Sequence, residues 1–456
     1  MKICKNNKGI TLIALVVSII VLLILAGISI SMLTGQNGIL NRATETKEKT
    51  DYAKEKEEIS LAITTSKMEN IDNTTKINKE SFEKIFRQQY NKNITIDGNE
   101  DNSFNITFNE SNRTYYVSEY GDIIDDSNVL KISTADEFKK FRDSVNNGNN
   151  YNGAYIYLNN DITLNIDERW TPVGVYITID SEQNNPFMGI FDGKNHKING
   201  ININTTDKCQ GLFGLVEKGT VKNVILGTEN NISGGLVTAG IVAYAYDETQ
   251  IINCNNMAKI ESSGKTVGGI VGVANKNVKI QKNFNSGEIL RKRWQCRRNC
   301  WKLCEWYHYK FKLQYWGNKW RKKYNWGNCW YSTKKCEITN NYNVSNIRGN
   351  DNSNYLAGII GFSDSSLVKN CYNIGNIKGG DYAVNGILGN SNDNSNSIDN
   401  CYYLENTVNG KNGMTIISSN CIKNNSEMKK ISELLGSEFK NDTQNINNGY
   451  PILNWQ

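Results

Sequence analysis

The chain has 456 residues, enough for two or three domains, so the size of a hydrophobic core is not limiting. Its formal net charge of +6 is local: residues 291–336 carry fourteen Lys/Arg against one acid, and the remainder is acidic, with 38 basic and 45 acidic residues. That balance gives no reason to expect a nucleic-acid partner, and eleven cysteines without framework spacing exclude a disulfide scaffold.

The first element is "ITLIALVVSIIVLLILAGISI", Ile10 to Ile30, 21 residues without a charge. At the helical rise it spans about 30 Å, the thickness of a bilayer core. Lys2, Lys5 and Lys8 precede it and the next charge is Arg42. The positive-inside rule then keeps residues 1–9 in the cytoplasm and places everything after Ile30 outside. The expectation is a single-pass membrane helix over residues 10–34.

The stretch "KNNKGITLIALVV" resembles a prepilin-type N-terminal segment. The resemblance implies a leader over residues 1–9, cut by a prepilin peptidase between Gly9 and Ile10, with methylation of the new N-terminus. That family usually has Glu five residues after the cut, where this chain has Ala14. The departure bears on polymerisation into a fibre and leaves anchoring untouched.

Residues 35–70, with "ETKEKTDYAKEKEEISLAI", predict a charged helix with opposite charges three and four apart, read as a solvated stalk. In "SFEKIFRQQY", Phe82, Ile85, Phe86 and Tyr90 share one helical face. Three strand-like runs follow, "NITI", "FNITF" and "TYYVS", separated by Asp/Gly/Asn turns. Residues 71–126 therefore read as a small α+β head similar to a minimal pilin.

Self-similarity dominates the rest. Repeat-start glycines fall at Gly211, Gly240, Gly269, Gly358 and Gly386, with apolar "GLFG", "GIVA", "GIVG", "GIIG" and "GILG" starts. Each unit reads as glycine, strand, polar turn, second strand and an Asn-rich turn. Units that cannot bury their own apolar face must stack. The fold class is therefore mainly β: a right-handed parallel β-helix of about 29-residue repeats over residues 128–410. A helical approach, "STADEFKKFRDSV", carries a Thr134/Glu137 capping box with Phe138, Phe141 and Val145 on one face. Residues 411–456 read as a closing cap. The "GIVG" and "GIIG" starts with trailing "NCYN" resemble the GLUG-motif repeats of bacterial surface proteins over residues 205–405. Cys254, Cys371 and Cys401 recur at one repeat position and predict a stack of buried thiols.

Residues 291–336 break the pattern with seven of nine tryptophans and five of eleven cysteines. From Gly269 to Gly358 there is room for two further starts, near 298 and 327. Tryptophan is TGG, which one nucleotide later becomes a glycine codon. Shifted in this way, "RRNCWK" and "WGNCWY" both admit "GGIVG", at the two vacant positions. The segment thus reads as a reading-frame scar, and two coils of the solenoid are expected to be missing there, exposing apolar edges. Cys296, Cys300, Cys304 and His308, four residues apart, would share a helical face and resemble zinc ligands. Their spacing matches no common zinc module and the frame shift explains each separately, so no metal or cofactor is assigned. Basic–aromatic alternation resembling a single-strand-binding surface falls for the same reason.

Three functions fit. The first is a non-catalytic, envelope-anchored display or adhesin-like solenoid that binds an extracellular protein or glycan, with no enzyme activity. The second is a polysaccharide lyase or hydrolase, which needs clustered carboxylates or a Ca²⁺ site on one side of the solenoid. Only "FDGKNHKI", with Asp192 and His196, offers a start, and a Gly-containing turn at the solenoid's start explains it more cheaply. The third is a minor pilin or pseudopilin, a structural subunit of an assembly.

Overall fold

The computed structural model describes residues 20, 22, 39–69, 76–99, 102–291, 323–409 and 422–456, apart from breaks at 179–180, 264–265, 327–328, 334, 350–352, 364, 380–381 and 391–395. The chain divides into two compact units, residues 1–127 and 128–456.

The first unit holds helix α1 (Ile39–Glu69), helix α2 (Lys79–Gln89) and strands β1 (Ile94–Gly98), β2 (Phe104–Phe108), β3 (Arg113–Val117) and β4 (Ile123–Asp125). The strands form an antiparallel sheet in chain order. Asn78 caps α2 by accepting from Ser81 N at 3.0 Å. The alternating β2 sequence sends Phe104, Ile106 and Phe108 inward, where they meet Phe82, Ile85 and Phe86 of α2. Helix α1 is not the solvated stalk its charges suggest. Ile59, Ala62 and Ile63 are buried in this same core. Its acids at this level find partners: Glu55 accepts from Tyr115 Oη at 2.7 Å and Arg113 at 3.1 Å, and Glu58 pairs with Lys92 at 2.6 Å. Paired in this way, the carboxylates tolerate burial.

No helix among the described residues is long and apolar enough to cross a membrane. The expected anchor over residues 10–34 lies outside the described residues except for Ile20 and Leu22.

The second unit is a parallel β-solenoid of about seven turns with five short strands per turn. One coil shows the five sides: Val237–Ala239 (side A), Val242–Tyr246 (side B), Gln250–Ile252 (side C), Asn255–Asn256 (side D) and Lys259–Ser262 (side E). The next coil repeats them in register, pairing Val242 with Val271, Ile251 with Ile280 and Ile260 with Ile289. Like therefore stacks on like: side E carries Ile203, Ile232, Ile260, Ile289, Ile347 and Ile377 through the core.

The first end is plugged by helix α3 (Ala135–Asn146). Thr134 and Glu137 form the expected capping box, and Phe138, Phe141 and Val145 are buried. Phe138 stacks on Trp170 with ring centroids 5.2 Å apart.

Two expectations are corrected. Only one of the two coils in residues 291–336 is passed over. Lys323–Trp326 and Cys329–Thr333 supply sides A and B of a further coil, with a register shift at Tyr324/Asn325 on side A, and Val271 pairs directly with Cys329. Sides C, D and E of that coil come from residues 337–348, whose columns match Ile280, Phe284 and Ile289. Backbone pairing on sides B to E and those matched columns let the chain rejoin the stack one repeat later, whereas on side A Thr266–Gly268 and Lys323–Trp326 belong to separate sheets.

The C-terminal segment is also more than an end cap. Ile422–Lys423 extends side D beyond the last coil. Short helices α4 (Asn425–Met428) and α5 (Ser432–Leu435) and the hairpin of Phe439–Lys440 with Ile452–Leu453 then lie along side D. There Phe284, Tyr342 and Tyr372 stack face to face at 5.0 and 4.8 Å, each pair within 3° of parallel. The segment covers this ladder: Tyr342 Oη donates to Gln456, Asn447 Nδ2 donates to Tyr372 Oη, and Trp455 Nε1 donates to Lys282 O.

Candidate functional site

Asp192 and His196, the sole catalytic candidates from the sequence, do not act together. His196 Nδ1 lies 3.1 Å from Asp161, whose carboxylate also accepts from Lys197 N at 2.9 Å. Asp192 is fully buried beneath side C. Its Oδ1 accepts from Lys194 N and Asn223 Nδ2, both at 2.9 Å. Its Oδ2 accepts from Tyr155 Oη at 2.7 Å and lies 3.6 Å from Lys222 Nζ. Three hydrogen bonds and the nearby Lys222 ammonium engage both oxygens, so the buried carboxylate ties three successive strands together. Tyr155, Lys222 and Asn223 were not singled out in sequence because their convergence depends on stacking between coils.

The repeat-start glycines stand at the corner between sides A and B. A Cβ at Gly240 would lie 2.4 Å from Gly269 O, and one at Gly358 would lie 2.4 Å from Gly386 O. Gly211 would meet Ala239 O at 2.8 Å, and Gly386 would meet the Tyr403 ring at 2.0 Å. Their role is close backbone approach between coils.

Inside the same corner runs an amide ladder. Asn256 Nδ2 donates to Asn285 Oδ1 at 2.7 Å, Asn285 to Asn343 at 2.9 Å, and Asn343 to Asn373 at 2.7 Å. A second set of asparagines turns the chain between sides C and D in left-handed backbone: Asn223, Asn253, Asn340, Asn370 and Asn400, with φ between 47° and 58°. Asn tolerates that region better than most residues. The Asn-rich composition is therefore architectural.

Cys254, Cys371 and Cys401 are buried. Each faces the carbonyl two residues earlier, at 3.4, 3.2 and 3.2 Å. Burial pushes the Cys254 thiol up to about 12, well away from nucleophilic use. The stack is interrupted: Asn283 and Asn341 occupy the column between Cys254 and Cys371 and bond each other at 3.1 Å.

Gly9 and Ile10 lie outside the described residues, as do Cys296, Cys300, Cys304 and His308. Among the described residues no group of three or more His, Cys, Asp or Glu could hold a metal. An open groove on the solenoid is lined by Thr163, Leu164, Ile166, Gly200, Thr228 and Glu229. It contains no carboxylate pair.

Comparison with family models, curated proteins and solved structures gave no match. The class is thus set by the fold itself: a parallel β-solenoid, preceded in the chain by a small α+β unit.

Proposed function

We propose that the protein is a non-catalytic solenoid, anchored in the cell membrane through residues 10–30 and displayed outside it to bind an extracellular protein or glycan. The observation that carries this reading is the burial of Asp192: the best catalytic candidate is fully buried and both its oxygens already accept hydrogen bonds from within the fold. The sides instead offer what a binding surface needs, in-register polar rows repeated at each coil. Asn340, Asn370 and Asn400 form one such row, bonded at 3.1 and 3.3 Å. The coil is taken as right-handed, the usual sense of parallel crossovers. The prepilin-like start and GLUG-like repeats point to the bacterial envelope. There prepilin peptidase would release a chain beginning at Ile10. The surface role rests on fold-level analogy.

A minor pilin is the second reading. It is favoured by the first unit, where a 31-residue helix packs on a four-stranded antiparallel sheet. Co-purification with a fibre would support it, with Ala14 limiting the protein to the fibre's tip.

The test is to incubate the purified protein with pectin-like and other acidic glycans, measuring both retention and product release. Retention without new reducing or unsaturated ends is expected. Turnover that disappears in Asp192→Ala would overturn the non-catalytic reading.

A further inference from the structure

The register across residues 292–322 states how much solenoid was passed over. Val271, Ile280, Phe284 and Ile289 pair with Cys329, Ile338, Tyr342 and Ile347. Asn283 and Asn341, bonded between those coils, are 58 positions apart, whereas the undisturbed neighbours Asn256 and Asn285 are 29 apart. The bonded coils on either side are thus two repeats apart in sequence, where undisturbed neighbours are one repeat apart.

The columns also state what a coil between them would have to present. Position 312 falls midway between Asn283 and Asn341, 313 between Phe284 and Tyr342, and 314 between Asn285 and Asn343. These are two buried amide positions flanking a rung of the aromatic ladder.

The genetic code supplies an independent reading of the same positions. Taken one nucleotide later, Lys312 becomes Asn or Ser, because AAR is followed by the C or T that opens a leucine codon. Leu313 becomes Phe, Tyr, Ser or Cys, and Gln314 becomes Asn or Ser. Tyr315 becomes Ile or Thr, and Trp316 becomes Gly. The shifted string admits Asn-Phe-Asn-Thr-Gly, against Asn283-Phe284-Asn285-Ser286-Gly287 one coil earlier. Backbone pairing and codon structure agree at three positions, 312, 313 and 314, without sharing an assumption.

We infer that the original reading frame of this protein carries one further coil between the strands Ile289–Arg291 and Lys323–Trp326. It has Asn or Ser at 312 and 314 and an aromatic residue at 313, so both ladders run one rung longer. The inference rests on reading residues 291–336 as a frame scar.

It has a consequence for the C-terminal segment. That segment is tied to the coils after the scar, through Ile422–Lys423, Tyr342 and Tyr372. Its contacts with the coil before the scar are the Lys282–Glu438 pair at 2.9 Å, the Trp455 bond to Lys282 O at 3.1 Å and the Trp455–Phe284 ring contact. An inserted coil displaces Lys282 and Phe284 by about 4.8 Å along the stack, and the new rung at 313 takes their place under Trp455.

Two measurements test this. Peptide mapping of the protein from its own source should show Asn or Ser, an aromatic residue, then Asn or Ser at 312–314. Finding the printed Lys-Leu-Gln there would overturn the frame reading itself. Cysteine pairs then test the geometry in both chains. Phe284→Cys with Trp455→Cys should crosslink in the present chain, where the rings lie 5.8 Å apart, and lose that crosslink in the restored chain. In the restored chain, a cysteine at 313 should capture the one at 455. A restored frame in which the 284–455 crosslink persists undiminished would overturn the coil insertion alone.

Discussion

A methyl group on Gly240 would lie 2.7 Å from Oδ1 of Asn256, the first amide of the buried ladder, and 2.4 Å from Gly269 O in the next coil. The repeat glycine and the ladder asparagine of one coil therefore occupy a single shared space. Gly240→Ala should destabilise the solenoid by about 1–3 kcal/mol through overpacking against backbone. Gly153→Ala, at φ +77° with nothing within 4 Å, should cost only the left-handed strain of about 1–2 kcal/mol. Urea midpoints of the two variants would order them.

The ladder itself should be cooperative. Asn285→Ala removes the acceptor of Asn256 and the donor to Asn343, at 2.7 and 2.9 Å. Each buried group left unsatisfied costs about 1–3 kcal/mol. Asn285→Asp should be worse, because it places an unpaired carboxylate where the partner oxygen of Asn343 stands. Denaturant titrations of both variants would check this order.

Deleting residues 295–322 should leave the solenoid intact. The coils on either side already pair on sides B to E, and Lys292, Arg293 and Trp294 would match the three-residue spacing between Ser262 and Thr266. The far-ultraviolet circular dichroism and urea midpoint should match those of the full chain. A collapse of the β signal would show that the passed-over residues hold the stack together.

The C-terminal segment should respond to acid. Burial alone would raise the Asp442 carboxyl, but it accepts from the backbone N–H groups of Asn447, Gly449 and Ile446 at 2.7, 3.0 and 2.8 Å, and these hold it below its ordinary value. A depressed carboxyl contributes stability that is full above its unfolded value, near pH 4, and lost as pH falls through the folded value. Asp442→Asn should lose that acid-dependent component and loosen the segment at neutral pH. Hydrogen exchange of residues 439–453 between pH 3 and pH 7 would measure it.

What the sequence made legible was whatever recurs. The repeat glycines and apolar starts are visible because each coil must solve the same backbone approach, so the solenoid and its 29-residue step could be read directly. The capping box at Thr134 was local enough to see. What could not be read depends on residues that meet only after stacking. Asp192 looked available because Tyr155 and Asn223 reach it from other coils. Glu55 looked solvated because its partners are on β3. The C-terminal segment looked like an end cap because the stacked ladder it covers draws Phe284 and Tyr342 from coils 58 residues apart.

The measurement that bears most directly on the central claim is the N-terminal mass and location of the protein in its own cells. Envelope display predicts a membrane-fraction chain beginning at methylated Ile10, with its solenoid cleaved by protease added to intact cells. A chain retaining Met1 in the soluble fraction, protected until the cells are lysed, would contradict it.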